Sequence, residues 1–539
     1  MTIKSVGGRW RGAWVLVVCA ALLGAASGQG ARDGAVRPEW RAAVERVSAE
    51  SMRGHLSFIA SDALEGRATP SRGLDIAAEY IAAQFRRAGL EPAGGDGGYF
   101  QTANWELVGR DAAGFEMRLA DGGRSLALDA AEVSIGVSAG GFHVWPLEHD
   151  LALADAGLYK LAYGDAAAQA ALTREELAGR VVVAEVPDFR RAAGPQRLAA
   201  AREVNAFLAR MRALGAPLVV TFTREAARGG QPPRRLVDPE AAAGGSPLGT
   251  EPTAPLVVVH GERGAQFFAA LPAGATGARL TFRSPALSRT PARLRNVAGL
   301  LRGSDPQLRD TYVIVSAHYD HVGVREDCRA GDCIYNGAND DGSGTVAVIE
   351  LAAALSKLDV KPRRSILFLA FFGEEMGLLG SRFYGRHPLV PLRQTVAQIN
   401  LEQVGRTDDE EGPQVGTATV TGFDYSEVGA ALQRAGEAAG VKVYQHPTKS
   451  DAFFGRSDNQ ALADLGVPAH TFGTAFEFPD YHGLGDHWEK IDYANMERVV
   501  RAVGLGLLRV ADDPQAPRWN ETNPRAAKYV EAWKKLHGQ

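Results

Sequence analysis

Between residues 41 and 90 apolar positions recur every third or fourth residue. Ala77, Ile81 and Phe85 fall on one stripe and Gly89 follows it, which predicts helices closed by a glycine stop. From 113 to 145 the pattern shortens to strand-like alternation broken by glycines, and an α/β block follows. "RVVVAEV" (180–186) predicts a strand, 197–215 a helix, and "APLVVTF" (216–222) a second strand. The Pro/Gly/Ala-rich stretch 225–254 reads as a long loop. "PLVVV" (255–259), a short helix and "ARLTF" (278–282) complete the block, and Pro285 to Pro291 reads as a linker.

From Asn296 onward the pattern repeats as strand, loop and helix. "TYVIVSA" (311–317), "RSILFLAFF" (364–372), "VAQINLEQV" (396–404), "GTATVT" (416–421) and "GVPAHTF" (466–472) predict strands. "GTVAVIELAAALSKL" (344–358) predicts an amphipathic helix, and another is expected to begin near Glu375. Such alternation predicts an α/β fold: a central, mostly parallel mixed sheet flanked by helices. The sequence has no fixed-period repeat.

Composition narrows the class. A chain of 539 residues holds roughly two to four domains at ~100–200 residues each. With 45% hydrophobic and 23% charged residues it has an ordinary globular makeup. It can bury a large core without metals, so a metal site should serve chemistry. A net charge of −4, with no basic stripe and no acidic tail, argues against a nucleic-acid partner. At the N-terminus Lys4, Arg9 and Arg11 precede an uncharged run from Ala13 to Ala26, and the first acidic residue is Asp33. This is the pattern of a secretory signal over residues 1–28, cleaved before Gln29; the run is too short to span a bilayer. Cys19 behind Val18 does not suit lipidation. The mature chain is therefore expected in the periplasm or outside the cell, with no stable membrane insertion. Cys328 and Cys333 are the cysteines left in it. A local disulfide fits an oxidising compartment best; a zinc pair or two buried thiols are the alternatives.

Ligand sites of open α/β sheets lie at the carboxyl ends of the strands. Five polar segments follow predicted strands in order: "AHYDH" (317–321), "GANDDGSG" (337–344), "GEEMG" (373–377), "NLEQVGR" (400–406) and "DYHGLGDH" (480–487). Each has an ordinary reading alone, as a capping pair, a turn or a complement to a helix dipole. Together they bring His, Asp and Glu to successive strand ends, the donor types of a zinc site.

These segments resemble the secreted di-zinc aminopeptidase family, whose wider group includes glutamate carboxypeptidase and the transferrin receptor ectodomain. The resemblance covers roughly 50–110 and 290–510. It implies residues 29–139 and 286–539 as the two parts of a peptidase domain and 140–285 as an inserted protease-associated domain. It further implies two zinc ions per chain. His318, Asp340, Glu375, Glu402 and His482 would be their ligands, Asp340 bridging, and Asp320 would orient His318. Glu374 would be the general base and Tyr481 would steady the oxyanion. The family often has an unusual peptide bond just after the bridging Asp. Glu402 stands where the family usually has Asp and reaches ~1.5 Å farther; Asn459 stands where relatives often carry His. The implied activity is removal of N-terminal residues from peptide substrates, with the substrate's free α-amine held at one zinc. A carboxypeptidase or dipeptidase on the same scaffold is the alternative and needs cations such as Arg406 or Arg456. A glutaminyl cyclase resembles the chain less. A non-catalytic ectodomain would not need to keep the ligands and the base.

Overall fold

The computed structural model describes residues 36–139, 142–188, 194–226, 234–240, 251–325, 328 and 331–539. The expected signal segment 1–28 lies outside them. Two compact units result, one of residues 1–101 with 296–539 and one of 102–295.

The first unit opens on helices α1 (Pro38–Val44), α2 (Ala49–Ile59) and α3 (Arg72–Ala88). Ser71 caps α3 by accepting from Leu74 N at 3.0 Å, and Gly89 closes it at φ 84°, fulfilling the glycine stop. The sheet is built from β1 (Ser288–Leu301, whose end lies in this unit), β2 (Tyr312–His318), β3 (Ser365–Phe371), β4 (Thr395–Leu401), β5 (Thr417–Val420), β6 (Lys442–Tyr444) and β7 (Ala469–Gly473). The order is β1-β3-β2-β4-β7-β5-β6. Strands β3, β2, β4 and β7 are parallel, whereas β1 runs antiparallel to β3 and β5 antiparallel to β7. The four parallel strands end on the same side, so the loops after them converge. Strand β1 already starts inside the stretch expected to be a linker.

Every residue of β3 is buried. Leu367, Leu369 and Phe371 pack with Tyr384, Trp519 and Tyr529 on one face. On the other, Phe368 meets Phe85 of α3 with ring centres 6.3 Å apart. A strand covered on both faces has no polar side, which explains its continuous apolar run. Helix α4 (Gly344–Leu355) is likewise buried nearly all round, including Glu350, rather than amphipathic. It lies against β2, β3 and β4 and beneath α1, α2, α3 and α6 (Tyr493–Asp512), so it has little solvent face. The helix expected near Glu375 starts later, as α5 (Leu379–Arg386). Gly373, Gly377 and Leu378 hold φ of 68°, 97° and 61°, left-handed values that prevent α-helix from starting at the strand end.

The second unit holds an eight-stranded mixed sheet. Val181–Ala184, Val219–Thr223 and Leu256–His260 are parallel neighbours at its centre. The helix Gly194–Ala213 covers one face through Val204, Leu208 and Met211, and the helix Glu262–Ala269 covers the other through Phe267 and Phe268. The unit is wider than the 140–285 block read from the sequence. Strand Glu116–Asp121 pairs with both Arg124–Leu128 and the distant Gly274–Ser284, a long-range partner that no local pattern reveals.

Candidate functional site

His318 ends β2 with its side chain fully buried. Its backbone is fixed from two sides: His318 N donates to Asp341 Oδ2 at 3.3 Å, and its carbonyl accepts from Thr345 Oγ1 at 2.7 Å. Nδ1 faces Asp320 Oδ1 at 3.4 Å. The same Asp320 accepts from Thr69 Oγ1 at 3.2 Å and from Glu374 N at 3.0 Å. One carboxylate thus orients the imidazole and pins the backbone of the neighbouring Glu374.

The segment between β2 and α4 turns sharply into the helix. Gly337 has φ 57°, and a Cβ there would lie 2.4 Å from His321 Cγ, so only glycine fits. The Asp340–Asp341 peptide is cis, the unusual bond that the resemblance implied. Asp486 accepts from Asn339 N (2.9 Å) and Asp340 N (3.1 Å) and cradles the turn. Asp341 accepts from Gly344 N at 3.0 Å at the start of α4 and from Gln403 N at 3.2 Å, tying the turn to the end of β4.

Asp340 sits at the centre. Its Oδ1 is 3.3 Å from His318 Nε2, and its Oδ2 is 3.0 Å from His482 Nε2. His482 Nε2 is also 3.1 Å from Glu375 Oε2. Two donor groups share Asp340, His318–Asp340–Glu402 and His321–Asp340–Glu375, each with its donor atoms within 4.8 Å of one another. Glu374 belongs to neither; its Oε2 lies 3.9 Å from His318 Nε2. Tyr481 stacks on His482, ring centres 4.1 Å apart. All eight residues named from the sequence therefore converge.

The charge balance shows what the cluster lacks. Burial alone would raise the Asp340 carboxyl, but His318 and His482 outweigh it and hold the group well below the usual range. Contacts with Asp340 and Glu375 push His482 up to about 10. Burial pushes Glu402 up to about 7. Burial also drives Glu374 well above the ordinary range, with Glu402, Asp458 and Glu375 adding to the effect against His318. The upward shifts of His482, Glu402 and Glu374 each favour the form with more positive or less negative charge, as expected where buried carboxylates outnumber the imidazoles facing them. His318 Nε2, His321 Nε2 and Glu402 Oε2 are buried without a hydrogen bond, which a native structure rarely tolerates. Donor atoms around a tetrahedral zinc sit roughly 3.3 Å apart, and the His318–Asp340, His482–Asp340 and His482–Glu375 distances of 3.3, 3.0 and 3.1 Å match it. The residues fit a divalent cation bound by imidazole and carboxylate.

Sequence reasoning quoted His321 but gave it no role. Its Nδ1 is 2.8 Å from Glu375 Oε1. The spacing of two histidines flanking Asp320 was the available signal. It also missed Arg67, for which no local signal exists. This fully buried guanidinium donates to the carbonyls of Tyr319 (2.8 Å), Ile59 (2.7 Å), Asn336 (2.7 Å) and Gly337 (2.9 Å). Burial lowers it to about 10, against the pull of Asp320, Asp486, Asp340 and Asp341, so it stays charged at neutral pH. Three of its four bonds clamp the two loops that carry His318, His321 and Asp340. Arg67→Met is expected to cost roughly 3 kcal/mol in urea unfolding, because it strands buried carbonyls. It should weaken zinc binding as well; unchanged stability would show that the clamp is dispensable.

A parallel-centred α/β sheet with a buried histidine–carboxylate cluster at its carboxyl edge defines the class: an α/β protein built around a cation site. Residues 296–505 match the family model described as Peptidase family M28. Aminopeptidase YwaD of Bacillus subtilis (strain 168) is 34% identical over 230 residues, 42% of this chain and 46% of that protein. A probable zinc metalloprotease of Pyrenophora teres f. teres (strain 0-1) is 34% identical over 122 residues, 23% of this chain and 25% of that protein. A probable glutamate carboxypeptidase VP8 of Zea mays is 25% identical over 249 residues, 42% of this chain and 32% of that protein. The chain thus spans between a quarter and about half of these curated relatives' length. Among solved structures, an aminopeptidase from Aneurinibacillus sp. strain AM-1 superposes with a TM-score of 0.52 at 20% identity, covering 89% of this chain and 97% of that one. That likeness establishes the shared α/β fold.

Proposed function

We propose that the protein is an exported zinc aminopeptidase holding two zinc ions. His318, Asp340 and Glu402 would hold one ion; Asp340, Glu375 and His482, with His321 beside them, would hold the other. The observation that carries this reading is the shared position of Asp340 between two donor groups, with Glu374 close by but outside both. Bound there, the ions would supply Lewis acidity, polarising the scissile carbonyl and acidifying water toward neutrality.

The chain's own residues do the rest. Glu374 takes a proton from the attacking water as the new C–O bond forms, and returns it to the amine nitrogen as the C–N bond breaks. Burial raises this carboxyl above the ordinary range, which favours its holding the proton between the two transfers. Asp320 keeps Nε2 of His318 turned toward Asp340. Burial and the negative charges of Asp340, Glu402 and Glu375 raise the Tyr481 hydroxyl, which therefore stays protonated and able to donate to the developing oxyanion. His482, its side chain 40% exposed, marks the open side from which substrate would arrive.

Export is supported by the charged and apolar N-terminal pattern and by the disulfide that Cys328 forms with Cys333. Among the described residues no helix is long and apolar enough to cross a membrane. The second unit is read as a protease-associated insertion on the strength of its α/β pattern. Aminoacyl reporter amides, free and N-acetylated, test the activity. Free-amine substrates should turn over at least ~10²-fold faster, because a site built around an amine rejects its blocked analogue. Equal rates would remove the aminopeptidase assignment.

A further inference from the structure

A recess open to solvent lies beside the donor cluster, with Glu402 and Tyr481 in its lining. Phe453 and Phe476, stacked with ring centres 5.3 Å apart, form an apolar wall. A substrate whose reacting end lies at the cluster would send its neighbouring group into this space.

Both arginines flagged by the sequence lie in this unit, but their guanidiniums differ. Arg406 is 4% exposed and committed. Its Nε donates to Asp408 Oδ1 at 2.7 Å and its Nη1 to Asp480 Oδ2 at 3.0 Å. Lys449 is committed too, 2.6 Å from Asp409 and 3.2 Å from Glu477. Arg456 alone among the residues lining the recess is a cation. Its guanidinium lies over the Phe453 ring at 4.4 Å. Among the described residues it forms no ion pair with a carboxylate.

That arrangement is unusual where Glu402, Glu374, Glu375 and Asp340 crowd one site. An anionic substrate group entering unaided would meet their repulsion. A guanidinium seated over an aromatic ring has already lost part of its rotamer freedom and offers paired N–H donors suited to a carboxylate. We propose that this recess takes a substrate carboxylate on Arg456, so that the enzyme favours peptides with an anionic group next to the scissile bond. The proposal rests on the aminopeptidase reading above. The carboxylate could come from an Asp or Glu side chain or from the free C-terminus of a very short peptide, and the test separates them.

The zinc-loaded full chain is assayed on Glu-, Gln- and Leu-reporter amides, which carry no terminal carboxylate, and on Ala-Ala with a free or an amidated C-terminus. A charge-assisted contact predicts about a tenfold preference in kcat/KM for Glu over Gln, or for the free over the amidated dipeptide. The first outcome assigns the side chain and the second the C-terminus. In Arg456→Gln the preferred ratio should fall to near one, and Arg456→Glu should invert it. Hydrolysis of the Leu reporter with both ratios near one in the parent overturns this proposal and leaves the aminopeptidase reading standing. A ratio that persists in Arg456→Gln also overturns it. Hydrolysis of no substrate overturns both.

Discussion

Glu374→Gln is expected to fold normally, keep its zinc, and lose at least ~10²-fold in kcat. Glutamine preserves size and hydrogen bonding but cannot accept the proton from water. Retained zinc follows from geometry: Glu374 is in neither donor group, and its Oε2 lies 3.9 Å from His318 Nε2. Its backbone stays anchored by Asp320 Oδ1, which the substitution does not touch. The competing view, that Glu374 and Glu375 cap a helix, loses ground because α5 begins at Leu379. Residues 374–378 form a turn in which Glu374 O accepts from Gly377 N at 2.8 Å and Leu378 N at 2.9 Å. A pure capping role would cost about 1 kcal/mol of stability and leave turnover intact. Steady-state kinetics with zinc measured on the same sample separates the two. Near-normal kcat at full zinc content would take Glu374 out of the mechanism.

Asp340→Ala should be the most damaging substitution at the site. Asp340 belongs to both donor groups, and its two oxygens face His318 and His482 at 3.3 and 3.0 Å. Removing it should lower occupancy of both ions and reduce activity on the order of 10³-fold. Glu375→Ala touches one group, so it should cost about half the bound zinc. Elemental analysis after exhaustive dialysis gives the stoichiometries. Circular dichroism checks folding, and the rise in melting temperature on adding zinc reports binding without any assay of turnover. If Asp340→Ala keeps as much zinc as Glu375→Ala, the shared-carboxylate reading is wrong.

The alternation of apolar strands and helices after Asn296 was enough to predict a parallel-centred sheet, because strands covered on both faces must be apolar throughout. The five polar segments were legible for the same reason: charge at the end of such a strand needs a partner. The helix expected at Glu375 failed because three left-handed residues, Gly373, Gly377 and Leu378, override helix propensity there. The amphipathic reading of α4 failed because burial by α1, α2, α3 and α6 is a property of the assembled unit.

By itself the sequence determined which residues carry donors and that each follows a strand, since both are local properties of a one-dimensional pattern. Only the tertiary structure decided that Asp340 faces two histidines at once and that His321 joins Glu375. It alone revealed that Arg67 clamps the loops beneath the site through Tyr319, Asn336 and Gly337, 252 to 270 residues away. It also decided that Arg406 is neutralised while Arg456 is not. Those outcomes depend on which side chains approach within a few ångströms across distant segments, and that is set by packing.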